Sequence, residues 1–352
     1  MLARISTGVH AVANIGVNPK GNSLVCGLDG IGRIYNLTPF CKTFDEDDDE
    51  KVTEVTKEEE EQEGPVKYFE PKTEAVTDLG PEGGYQKVVR FGSAEMFATG
   101  GSDGDIKIWS YPDFKLKLEI KGAAMTGEAQ EVTKLDISPN GRLVACLYRQ
   151  AKVIRVNCTK TGEDKAALVF GFQKLFYNFN AVRFMTIDGV VYLVALASIL
   201  RMNSYIAMWD TNTWKMAKYG LADRNPSTVM DVSPNGKYIA VGTGEGDVII
   251  FDARTLKRVH VAKCVHDIFI TDMAFTQNSA GVLTTSVDKR CVYTDVLHTE
   301  GDPMKWLTVA AVIILVISYL YMKPEVVREF GQFLNTHFIK FKPRKGYQEP
   351  IM

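Results

Sequence analysis

The chain has 352 residues, with 41 Lys and Arg against 43 Asp and Glu, and 45% of its residues are hydrophobic. This composition excludes a wholly disordered or collagen-like protein and allows one large domain or two ordinary ones. The formal charge of −2 hides one acidic run: Asp45 to Glu63 holds 12 acids and 2 lysines, which leaves 31 acids against 39 bases elsewhere. That mild excess is not the concentrated basic face that nucleic acid demands, so no nucleic-acid partner is expected.

The first residues, MLARISTGVHAVANIGV, hold no apolar stretch of secretory length, so the bulk of the chain is expected to fold in the cytosol. A strand–turn–strand unit follows at Leu24–Leu37 (LVCGLDGIGRIYNL) and recurs at Met96–Tyr111 and Ile239–Ala253, with a looser copy at Val282–Val296. Each unit has an apolar strand, a tight Gly/Asp turn and an alternating strand that ends near an aromatic. A second unit is almost duplicated: LDISPNGRLVA (Leu135–Ala145) and MDVSPNGKYIA (Met230–Ala240). Proline presets φ for its turn, and Asn-Gly supplies the positive-φ positions. Tyr205–Asp210 gives a further strand end.

Period-two alternation with turn signals every 8–12 residues predicts an all-β fold. Repeats at about 40–50 residues predict a β-propeller of four-stranded blades, with a β-sandwich as the alternative. Six blades are expected, at about 10–38, 85–111, 131–157, 179–215, 226–252 and 270–297. The stretch from Phe44 to about Gly80 interrupts them. Its acidic part has too little apolar content to order itself and reads as a disordered insertion.

Downstream, Trp306 to Met322 (WLTVAAVIILVISYLYM) is 17 residues without a charge, bracketed by Lys305 and Lys323 with Trp306, Tyr319 and Tyr321 near its ends. This predicts a single transmembrane helix over 306–322, at the short end of what a bilayer needs. The tail, 323–352, carries Lys323, Arg328, Lys340, Lys342, Arg344 and Lys345, which by the positive-inside rule favours the cytosol. The absent signal argues the reverse and is given precedence, so residues 1–300 are expected to be cytosolic and the tail lumenal.

Covalent chemistry finds no motif. There is no H-E-x-x-H, G-x-S-x-G or G-x-x-x-x-G-K-[ST]. Gly242-Thr243-Gly244-Glu245-Gly246 leads from one strand into another and reads as a hairpin turn. Asp103, Asp210, Asp231 and Asp288 recur near blade turns and read as carboxylates that bond turn amides. The six cysteines (Cys26, Cys41, Cys146, Cys158, Cys264 and Cys291) lack zinc spacing and read as buried apolar residues.

Gly101–Phe114 (GSDGDIKIWSYPDF), the acidic insertion, Val265–Phe275 (VHDIFITDMAF) and Ser286–Glu300 followed directly by the apolar span together resemble one family. These are the WD-repeat guanine nucleotide exchange factors of the endoplasmic reticulum that load the small GTPase of the COPII coat, called prolactin regulatory element-binding protein in animals. The resemblance implies a seven-bladed propeller, of which about six blades are recognisable here, and a location in the endoplasmic-reticulum membrane. It implies exchange of GDP for GTP on that GTPase, without covalent catalysis, in ER-to-Golgi transport. It also implies that His266, with Ile270, Thr271 and Met273 completing an H-x-x-x-[IV]-T-x-[VM] pattern, contacts the GTPase.

In the family an N-terminal glycine-rich loop held by potassium reaches toward the nucleotide. Only Thr7-Gly8-Val9 faintly matches that loop here, so no cofactor is expected in this chain, which reads as beginning inside the propeller. The alternative is therefore a membrane-anchored propeller scaffold without exchange activity.

Overall fold

The Ser-Pro-Asn-Gly turns close as their chemistry dictates. Ser138 Oγ and Ser233 Oγ accept the N–H groups of Leu143 and Tyr238 at 2.9 and 2.8 Å. Gly141 and Gly236 carry φ of 68° and 72°, which residues with a Cβ rarely adopt. Thr276 and Asn278 rebuild the same turn without proline or glycine at its apex.

The computed structural model describes residues 3–5, 12–37, 67–69, 71–78, 84–93, 95–122, 130–149, 152–172, 175–199 and 203–296. Two short strands, β1 (Ala3–Ile5) and β5 (Lys67–Phe69), pair in parallel apart from the rest. Blade one is β2 (Asn14–Val17), β3 (Ser23–Gly27), β4 (Ile31–Asn36) and β6 (Thr73–Val76). Blade two is β7 (Gln86–Ser93), β8 (Met96–Gly101), β9 (Ile106–Ser110) and β10 (Leu116–Ile120). Blade three is β11 (Val132–Ile137), β12 (Leu143–Tyr148), β13 (Val153–Cys158) and β14 (Asp164–Val169). A hairpin, β15 (Gly171–Phe172) and β16 (Leu175–Phe176), precedes blade four.

Blade four is β17 (Asn178–Ile187), β18 (Val190–Ser198), β19 (Ser204–Asp210) and β20 (Met216–Asp223). Blade five is β21 (Ser227–Val232), β22 (Tyr238–Thr243), β23 (Val248–Asp252) and β24 (Arg258–Ala262). Blade six has three strands among the described residues: β25 (Ile270–Phe275), β26 (Gly281–Ser286) and β27 (Cys291–Asp295). The described fold is thus an all-β propeller of six blades, without a helix.

Successive blades are glued face to face by apolar clusters. Val25 and Ile34 meet Val89, Phe97 and Trp109 between blades one and two. Leu147 and Ile154 meet Phe184 and Leu193 between blades three and four. Val229 and Ile250 meet Ile270 and Val282 between blades five and six. Full burial of side chains of this size contributes about 1.5–3 kcal/mol each. Gly100 lets blade three approach: a Cβ there would sit 2.6 Å from a Val132 methyl.

No such cluster joins blade six to blade one among the described residues. Ile15 and Val17 on blade one, and Leu283 and Tyr293 on blade six, are instead 43–55% exposed.

Four expectations are corrected or bounded. The insertion expected over 44–80 is shorter, because β6 inside it completes blade one; its polar Thr-Glu-Ala-Val hides an edge strand. The expected blade ranges stop one strand early in blades two to five, where β10, β14, β20 and β24 extend them. Only Cys26 and Cys146 are buried, while Cys264 and Cys291 are exposed. The predicted transmembrane segment 306–322, the tail, Cys41 and Thr7 to Val9 lie outside the described residues. Among the described residues, no helix is long and apolar enough to cross a membrane.

Candidate functional site

The loop from β24 to β25 crosses one end of the propeller, and His266 fixes it. His266 is 1% exposed. Its Nδ1 lies 2.9 Å from Asp288 Oδ2 and its Nε2 2.9 Å from Thr284 Oγ1. The His266 N–H donates to Gly246 O at 3.1 Å, which ties the loop to blade five.

Asp288 also accepts the Arg290 N–H at 2.9 Å and the Asp267 N–H at 3.3 Å. Arg290 bridges Asp288 and Asp267 at 2.9 and 2.7 Å. Burial works against the Asp288 carboxylate, but the hydrogen bonds from Arg290, His266 and Asp267 outweigh it and hold the pKa below the ordinary 3.8. A depressed carboxylate stabilises the fold above its unfolded pKa and loses that contribution as pH falls through the folded value. Blade six is therefore expected to loosen below about pH 4, and Asp288→Asn to flatten the acid limb of a melting-temperature profile; equal acid limbs would refute this.

The sequence-derived role for His266 meets this geometry directly. The ring is sealed under the surface with both nitrogens engaged, so it holds up the loop rather than presenting itself. What the loop presents is Ile268 and Phe269, 39% and 45% exposed, with Val287 at 54% on the turn after β26. The pattern residues scatter: Ile270 and Met273 are core, and the exposed Thr271 donates to Thr285 O at 3.1 Å. Blade two carries a related network without histidine. There Asp78 accepts from Ser102 and Asp103, and Trp109 Nε1 donates to Thr99 Oγ1 at 2.8 Å.

At the opposite ends of the innermost strands lies a cavity of about 290 Å³. One position of successive innermost strands points into it: Gly16, Arg90, Asp136, Arg183 and Asp231. Arg183 Nε donates to Asp231 Oδ1 at 2.9 Å. Asp136 accepts the Phe184 N–H at 2.7 Å, and Asp231 accepts the Phe275 N–H at 2.9 Å. Arg183 and burial both push the Arg90 pKa down, while burial pushes Asp136 up.

Asp231 thus differs from its expected role: it faces the axis and links three blades, and is no turn carboxylate. Asp103, Asp210 and Asp288 do cap turn amides. The alternating Arg/Asp set was not legible, because residues about 47 apart reveal a shared axis only once the blades are counted. Among the described residues no group of three or more His, Cys, Asp or Glu is placed to hold a metal ion. The potassium loop implied by the resemblance has no described counterpart in which to test its fit.

Residues 85–315 match the family model of the nucleolar protein 10-like N-terminal domain, a β-propeller. The match covers more than half of the chain. The chain belongs to this propeller family. Its relatives include exchange factors. It is 25% identical over 302 residues to SEC12-like protein 2 of Arabidopsis thaliana, covering 86% of this chain and 68% of that protein. It is 23% identical over 266 residues to the guanine nucleotide-exchange factor SEC12 of Mus musculus, covering 68% of this chain and 61% of that protein. A putative guanine nucleotide-exchange factor SED4 of Saccharomyces cerevisiae is 28% identical over 163 residues, only 15% of its length. The chain therefore spans about two thirds of the plant relative and less of the mouse one.

Proposed function

We propose that this chain promotes GDP/GTP exchange on the small GTPase that starts COPII coat assembly, at the endoplasmic-reticulum membrane. One observation carries the reading: the likeness to SEC12-type exchange factors extends over 86% of the chain. Exchange needs a docking surface and no covalent chemistry, in keeping with the lack of catalytic motifs. The loop that His266 braces supplies the contact in this proposal, through Ile268 and Phe269. The apolar span 306–322 would hold the propeller where the GTPase works and raise its effective concentration there.

The test follows release of a fluorescent GDP from that GTPase on adding the full chain. Acceleration is expected, and Phe269→Asp should cut it by about tenfold or more, as for an interface anchor. No acceleration by a sample shown to be folded would reject exchange and leave a propeller scaffold.

A further inference from the structure

The hairpin β15–β16 is not part of any blade, yet it is firmly placed. Phe170 and Phe172 pack on Tyr205 with ring centroids 5.7 and 5.4 Å apart, and on Tyr219 at 5.7 and 5.2 Å. Tyr177 closes the set, 5.4 Å from Tyr205. This aromatic base holds out the next two side chains: Leu175 and Phe176 are 46% and 48% exposed. Two rigidly mounted apolar residues in water carry a cost that only a covering surface removes.

The neighbouring connections have one sign of charge. The hairpin base and the turn after β18 share an end of the propeller, because Tyr205 pairs with Ala197 and Ile199 packs on the same core. The turn from β12 to β13 also opens there, since Val153 pairs with Val169 next to Phe170. Across 149–152, 171–177 and 199–203 the sequence has four bases and no acid. Lys152 is exposed and has no acidic partner among the described residues. Arg149 has a side chain 72% exposed, 3.6 Å from Glu131, an acid that Lys87 also pairs with.

We infer that this end of blades three and four docks on an anionic phospholipid surface, with Leu175 and Phe176 entering the headgroup boundary and Lys152 and Arg149 facing lipid phosphates. Exposed apolar tips ringed by bases are what an interfacial contact needs: apolar burial anchors it, and charge makes it selective for anionic lipid. A soluble acidic protein would satisfy the bases but offers nothing specific to two splayed apolar side chains. The inference depends neither on exchange activity nor on the apolar span at 306–322, because it concerns a lipid-composition effect in the propeller itself.

The test uses the full chain with vesicles of phosphatidylcholine alone and with about one-third phosphatidylserine, reading amide hydrogen exchange across 171–177. Slowing of about tenfold is expected only on the anionic vesicles, and it should fade with added salt. Leu175→Ser with Phe176→Ser removes exposed side chains and leaves the blades intact, and Lys152→Glu reverses one charge; both should abolish the slowing. Equal exchange on the two vesicle types overturns the inference. So does slowing produced by the small GTPase in place of lipid, which would assign this surface to a protein.

Discussion

Replacing Asp231 by alanine is expected to lower the unfolding free energy by about 3–5 kcal/mol, the usual cost of removing one partner of a buried ion pair. Asp231 holds Arg183 of blade four through Oδ1 and the Phe275 N–H of blade six through Oδ2, while itself standing on blade five. Its loss leaves the Arg183 guanidinium, only 8% exposed, without that carboxylate and beside Arg90, whose charge already disfavours it. For a domain of this size the deficit corresponds to a melting temperature about 10 °C lower. Asp231→Asn keeps one acceptor and should fall between. A scanning-calorimetry trace of the alanine variant that overlays the wild type would show that the axial charges do not hold the blades together.

His266→Ala is expected to cost about 2–4 kcal/mol and to free one end of blade six. The substitution empties a fully buried position and leaves Thr284 and Asp288 without the ring nitrogens they face. The loop 263–269 should then become the first site of protease cleavage, and Cys264, already exposed, should react faster with a thiol reagent. The variant also separates two roles. If stability and nucleotide exchange fall together, the ring acts by bracing Ile268 and Phe269. If exchange is lost while the melting temperature stays, the ring makes the contact itself and the bracing account is wrong.

The legible parts of the sequence were those with local causes. Ser-Pro-Asn-Gly needs only its own side chains and a positive-φ glycine to form its turn, so two turns and their flanking strands could be placed by eye. Inner strands such as SLVCG and YIAVGT are buried on both faces and announce themselves as apolar runs. The outer strands did not. LKLEI, DKAALV and RVHVA are largely exposed, so their residues carry little hydrophobic signal and their pairing is decided by the strand beside them.

The candidate site divides in the same way. His266 stood out because its residue type and the pattern after it are local, but whether it faces solvent or Thr284 depends on a strand 18 residues away. The exposed pairs Ile268–Phe269 and Leu175–Phe176 look in sequence like any core dipeptide, and only the packed neighbours show which apolar residues were left out.

By itself the sequence determined the repeat, the turn chemistry and the strand alternation, because these rest on contacts within a few residues. Only the tertiary structure decided that Arg90, Asp136, Arg183 and Asp231 converge on one axis, since their attraction and their burial exist only where separate blades meet.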